Sequence, residues 1–239
     1  MSQINTSEFR QGLKAGIPIA VGYFPVAFTL GILGVGEGMT WWEATMISLF
    51  NLTSAGEFAG LTIIAAGGTL IEMALSQLVI NLRYALMSIT ISQKVDDSFR
   101  GVWRFITPFS TTDEIFAVAA ARKEPVSRTF WLGLSLLPII GWTMGTLVGA
   151  LLGEILPARL LDALSIAIYA MFIAIVVPAA KQGKAVLFVV LIAICLSCLF
   201  YFVPALQAVP GGFTVIICAI VAAAVGALLF PVKDEEEQA

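Results

Sequence analysis

The stretch TLIEMALSQLVINLRYALMSITIS, residues 69–92, places Glu72 and Arg83 in an apolar run that is otherwise long enough to cross a lipid bilayer. About 20 mostly apolar residues in a helix span a hydrocarbon core of about 30 Å, and a helix satisfies its own backbone hydrogen bonds there. Runs of the same kind lie on either side of it: Gly12–Val35, Glu43–Ala66, Phe105–Ala121, Thr129–Gly153, Leu160–Ala180, Ala185–Phe202 and Gly212–Phe230. Across the chain 59% of residues are hydrophobic and 12% charged, far from the balance of a water-soluble fold. The expected fold is all-α: a polytopic membrane helix bundle of about seven or eight membrane segments, some broken or re-entrant. The chain, 1–239, reads as one integral membrane domain of multi-pass type.

The first apolar run exceeds the core of a signal peptide, so it is expected to remain as the first membrane helix. The net charge of −3 comes largely from Asp234, Glu235, Glu236 and Glu237, a solvated tail, and no nucleic acid partner is expected. Cys195, Cys198 and Cys218 lie in apolar runs and read as small packing residues. Cys195 and Cys198 form a C-x-x-C, but without a second ligand pair or any histidine no metal site is expected. Gly141, Gly145, Gly149 and Gly153 recur every fourth residue on one helix face. This is a surface for close backbone approach, either within the chain or to another subunit.

Two topologies compete. With eight crossings and the N-terminus inside, Arg10, Lys14, Arg122, Lys123, Arg128, Lys181, Lys184 and Lys233 are inside, against Lys94, Arg100, Arg104 and Arg159 outside. If the fourth segment dips in and returns, the N-terminus moves outside and the balance becomes nine against three. Both place the C-terminus in the cytoplasm. The fourth segment is the irregular one, with Pro108 near its start and Asp113 and Glu114 near its middle.

Charges inside apolar runs cluster in residues 1–125: Glu57, Glu72, Arg83, Asp113 and Glu114. Each costs roughly 2.5–3.5 kcal/mol at the bilayer centre on insertion scales, so such residues face a cavity or a partner. Residues 1–125 are therefore expected to hold the site, with 126–239 as an apolar scaffold. Arg83 needs a counter-charge. Glu72 shares its helix but lies roughly 16 Å away at 1.5 Å per residue. Glu57, Asp113 or Glu114 could supply the counter-charge as a structural pair, or a substrate carboxylate could, since a planar guanidinium suits one. Gln77, Asn81, Tyr84 and Ser88 form a polar stripe beside Arg83, either lining a cavity or bonding between helices. Thr111 and Glu114 match a T-x-x-E capping box, marking a helix start whose amides could hold an anion while Asp113 takes an ammonium or a proton. Asn51, Thr53, Ser54, Gly56 and Glu57 likewise crowd the second segment, where glycine permits an unwound turn.

Without histidine, Ser-His and Cys-His nucleophile pairs and H-E-x-x-H zinc sites cannot be built, and no G-x-x-x-x-G-K-[ST] loop is present. No enzyme activity and no cofactor are expected. Proton coupling would fall to Glu57, Glu72, Asp113 and Glu114.

Gly16-Ile-Pro18, Gly22-Tyr-Phe-Pro25, Ser54-Ala-Gly-Glu-Phe58, Asn81-Leu-Arg83-Tyr84 and Thr112-Asp113-Glu114-Ile-Phe116 resemble the AzlC family over nearly the whole length. That family is the large subunit of a bacterial two-component exporter of branched-chain amino acids. The resemblance implies export of valine, leucine and isoleucine, with methionine as a further candidate. It also implies a bacterial inner (plasma) membrane location and a small membrane subunit resembling the AzlD family. Arg83, Asn81, Tyr84, Glu57, Ser54, Asp113 and Glu114 are the expected substrate-binding residues. The family usually has Gln at the position of Glu57 and often His at that of Tyr84, and the carboxylate adds a possible cation or ammonium site here. The competing reading is a non-transporting assembly subunit whose buried charges are structural pairs.

Overall fold

The computed structural model describes residues 6–152, 155, 157, 173, 176–178, 180, 181 and 183–231. Its named elements are α1 (Thr6–Gly36), α2 (Trp41–Phe50), α3 (Ala55–Ala65), α4 (Leu70–Ser92), α5 (Trp103–Ile106), a 3-10 turn (Thr107–Ser110), α6 (Asp113–Ala121), α7 (Arg128–Leu152), α8 (Lys184–Phe202) and α9 (Gly211–Leu229). Of these, α1, α4, α7, α8 and α9 are long and apolar enough to cross a membrane. The candidate segment Leu160–Ala180 lies largely outside the described residues, as do Gly153 and the acidic tail. The chain divides into two compact units, one built from Met1–Leu61 and Asn81–Ile168, the other from Thr62–Ile80 and Tyr169–Ala239.

The spine of the first unit is α1 packed along α7 at backbone distance. A Cβ on Gly141, Gly145 or Gly149 would run into the carbonyl of Ala20, Phe24 or Phe28, and one on Gly12, Gly16 or Gly31 into that of Phe130, Leu134 or Thr146. The glycine ladder is thus filled from within the chain at its three described positions, which leaves it no free face there for another subunit. Because the paired residues advance together, α1 and α7 run parallel. Their N-terminal ends meet where Arg122 bonds Glu8 at 2.9 Å and Ser127 bonds the same carboxylate. The end of α4 arrives there too: the Asp96 amide donates to the Val126 carbonyl at 3.0 Å, and the Val126 amide to that of Lys94 at 2.9 Å. So α4 runs against α1 and α7.

These directions decide the second and fourth candidate segments, because neither crosses. Glu43–Ala66 folds as a helical hairpin. Ala44 at its start and Leu61 near its end both lie against Gly34 at the far end of α1, while its turn reaches deep enough for the Thr53 carbonyl to accept from the Tyr84 hydroxyl at 3.2 Å. The arms, 10 and 11 residues long, are each too short to span. The chain unwinds over Asn51–Ser54, and the left-handed residue is Ser54 (φ 44°), whereas Gly56, expected to permit the turn, is already helical.

The fourth segment mirrors this from the opposite end. Its outer ends sit with the α7 start, where the Arg128 guanidinium stacks 4.8 Å over the Trp103 ring and the Lys94 ammonium donates to the Ala120 carbonyl. Its turn reaches Tyr23, whose hydroxyl lies 2.7 Å from Thr112 Oγ1. The helix start is one residue later than the T-x-x-E pattern suggests. Thr112, not Thr111, is the cap and accepts from the Ile115 amide, because Glu114 is turned away toward Tyr23.

Arg10, Lys14, Lys94, Arg100, Arg104, Arg122, Lys123 and Arg128 all gather at the end of the unit where α1 and α7 begin. The connection at the other end, residues 37–40, holds no Lys or Arg. By the positive-inside rule the basic end faces the cytoplasm. The N-terminus is then inside, as in the eight-crossing expectation, but with two opposed re-entrant hairpins in place of two crossings.

In the second unit α8 packs against α9, with Phe188 and Phe230 edge to face at 5.6 Å and Gly226 against Val189. The start of α9 meets α4 through the Gly212 amide, which donates to Glu72 at 2.9 Å. Cys195 and Cys198 stand exposed on α8 and are not packing residues, while Cys218 is buried.

Candidate functional site

Counted along α1, Tyr23 stands fifteen residues from Glu8 and thirteen from Gly36, roughly 22 and 20 Å at 1.5 Å per residue. It therefore stands near the middle of α1, at the depth expected for the bilayer midplane, and both hairpin turns end at that level. Each turn opens a half-helix, α3 or α6, whose first amides and positive dipole end point at the midplane with acids in the first turn: Glu57 on α3, Asp113 and Glu114 on α6. Discontinuous helices are tolerated at that depth where they are covered by protein or line a polar cavity.

Two groups of polar residues form at this level. In the first, Arg83 reaches from α4 to the α6 turn and pairs with Asp113 at 2.7 Å. Its guanidinium also donates to the Tyr84 hydroxyl at 3.2 Å, and that hydroxyl donates on to the Thr53 carbonyl of the opposite hairpin. Of the three acids that could have answered Arg83, the partner is thus Asp113. The pair is not sealed: the Arg83 side chain is 41% exposed and that of Asp113 34%.

In the second group, Glu57 is only 1% exposed and is closed in by donors. Ser48 donates to it at 2.8 Å, Trp142 Nε1 lies 3.0 and 3.2 Å from its two oxygens, and the Thr146 hydroxyl stands 2.8 Å behind Ser48. The Trp142 ring meets Tyr23 edge to face at 5.4 Å, and Tyr23 bonds Glu114. Two hydrogen-bonded groups, Thr146–Ser48–Glu57–Trp142 and Tyr23–Glu114, thus meet through the contact of the Trp142 and Tyr23 rings.

The other expected site residues are placed less centrally. Ser54 forms the strained turn itself, and Asn81 lies half-buried one turn before Tyr84 on α4. Glu72 belongs to the second unit, where it is 4% exposed and caps the α9 amide, with the buried Ser76 hydroxyl close by at Gly212. Trp142, Ser48 and Thr146 carry no mark in the sequence, and Tyr23 only its place in the Gly22–Pro25 motif. A tryptophan or tyrosine inside an apolar helix does carry a signal, since its N–H or O–H needs a partner when buried. At the cytoplasmic end Glu124 is held below the usual carboxylate range by its own backbone amide and by Arg122.

Residues 18–156 match the AzlC protein family. An uncharacterized membrane protein of Archaeoglobus fulgidus is 35% identical over 175 residues, 72% of this chain and 76% of that protein. The inner membrane protein YgaZ of Escherichia coli is 26% identical over 153 residues, and an uncharacterized membrane protein of Helicobacter pylori is 31% identical over 151. Those alignments take in 62% and 61% of this chain and 62% and 64% of the two relatives, so less than two thirds of either is spanned. No solved structure matches the chain.

Proposed function

Because this chain belongs to the AzlC protein family and is an integral membrane protein, we propose that it is the large subunit of a secondary exporter of branched-chain or related small aliphatic amino acids. It would act in the bacterial inner membrane with a small AzlD-like membrane subunit. The observation that carries this reading is the open Arg83–Asp113 pair at the midplane. An ion pair serving structure alone is best sealed from competition, as Glu57 is sealed. A half-exposed pair at that depth needs water, a ligand or a partner over it. A zwitterion supplies both missing charges at once: its carboxylate replaces Asp113 on Arg83, and its ammonium replaces Arg83 on Asp113. Two ion pairs then stand where one stood, so binding leaves no charge unpaired. The amides of the α6 turn add a positive field on the carboxylate side.

Glu57 and Glu114, joined through Trp142 and Tyr23, are the proton-coupling groups of this reading. Asp113 pairs with the substrate's ammonium, and Glu72 is assigned to holding α9. The competing assembly-subunit reading predicts a different response to exchange of charges. In proteoliposomes with the small subunit present, Arg83→Ala and Asp113→Asn are each expected to abolish efflux of labelled valine under an imposed pH gradient. The double exchange Arg83→Asp with Asp113→Arg is expected to leave efflux abolished, whereas under the assembly-subunit reading it restores folding and assembly. Efflux recovered by the exchange, or untouched by the single substitutions, would refute the proposal.

A further inference from the structure

A second site lies on the cytoplasmic side of the ion pair, in a cavity of about 270 Å³ between the end of α4, the 93–111 segment and the start of α7. Its walls are apolar, with Ile91, Val95, Phe99 and Trp131 prominent, and Arg104 is the one ionisable residue among those lining it. The surrounding charges are already engaged: Asp97 pairs with Arg100 at 2.6 Å, the Ser98 amide donates to Asp96 at 2.8 Å, and Lys94 bonds the Ala120 carbonyl. Arg104 is fixed by its Nε, which donates to the Phe99 carbonyl at 3.0 Å, and no carboxylate pairs with it among the described residues. Arg104 is exposed, and its guanidinium stands as a forked donor at the mouth of the cavity.

We infer that this cavity binds a short aliphatic monocarboxylate, with the carboxylate on Arg104 and the hydrocarbon part against Phe99 and Trp131. The volume falls just below the roughly 300–1,000 Å³ of drug-sized ligand pockets and suits an acid of a few carbons. The missing acidic group distinguishes the site from the one at Arg83. Arg104 is the one charge in the lining, so the cavity offers a pairing group to a carboxylate and none to an ammonium. The inference does not depend on what the midplane site transports.

The test is calorimetric titration of the purified protein in lipid nanodiscs with 4-methylpentanoate, its neutral amide and decanoate. Saturable one-to-one binding of 4-methylpentanoate is expected, weakened tenfold or more by Arg104→Gln and by the cavity-filling Ser92→Phe. The amide is expected to bind at least tenfold more weakly than the acid. No saturable binding, equal binding of acid and amide, or indifference to both Arg104→Gln and Ser92→Phe would overturn the inference. So would binding of decanoate alone, which would make the cavity a lodging for membrane acyl chains.

Discussion

Glu57 and Asp113 are both carboxylates at the bilayer midplane, yet their surroundings assign them different work. Glu57 is enclosed by Ser48 and Trp142 donors, so its removal leaves those groups buried without an acceptor, at about 1–3 kcal/mol for each. Glu57→Ala is therefore expected to lower the thermal midpoint of the detergent-solubilised protein clearly. Glu57→Gln, which keeps an acceptor oxygen, should lower it much less but flatten the pH dependence of efflux. A Gln variant as unstable as the Ala variant would mean that the negative charge itself holds the cluster together. That these acids matter was legible in the sequence from the cost of placing charge in an apolar run. Which acid answers Arg83 was not, because the choice depends on the depth of two turns from different segments. The bonding roles of Tyr23 and Trp142 are hidden for a related reason: each looks like an ordinary aromatic until the acid it bonds is brought beside it.

At the scale of elements, hydropathy reads length and apolarity but not direction. Glu43–Ala66 carries the apolar content of a full span, and only the unwound Asn51–Ser54 stretch betrays that it turns back. The crowding of small polar residues there marked the place of the break without giving its geometry. The same holds for the cap of α6, where Thr111 and Thr112 are equivalent in sequence until Tyr23 draws Glu114 away. The glycine ladder was legible as a packing surface. Its partner was not, because α1 offers a less regular set of small residues in Gly12, Gly16, Ala20 and Gly31. Backbone contact along α1 and α7 is the rigid part against which the hairpins are set. Gly149→Ala, which puts a methyl group into the Phe28 carbonyl, is expected to cost about 1–3 kcal/mol through overpacking. Gly22→Ala, with nothing within 4 Å of the added atom, should be neutral. Thermal unfolding of the two variants side by side checks this, and equal midpoints would show that α1 and α7 do not pack at backbone distance.

For the whole molecule, two hairpins entering from opposite faces give the chain an inverted design in which half-helix N-termini converge on one level, a known arrangement for binding small charged solutes within a membrane. The central claim is that Glu43–Ala66 enters and leaves by the same face. It is tested by single cysteines placed in a chain carrying Cys195→Ser, Cys198→Ser and Cys218→Ala, labelled with a membrane-impermeant maleimide in intact cells. Glu37→Cys and Ala66→Cys should both react from outside, and Glu124→Cys only after permeabilisation. A cysteine at position 66 that reacts only after permeabilisation, while one at position 37 reacts before it, would mean that the segment crosses the membrane and that the midplane site described here does not exist.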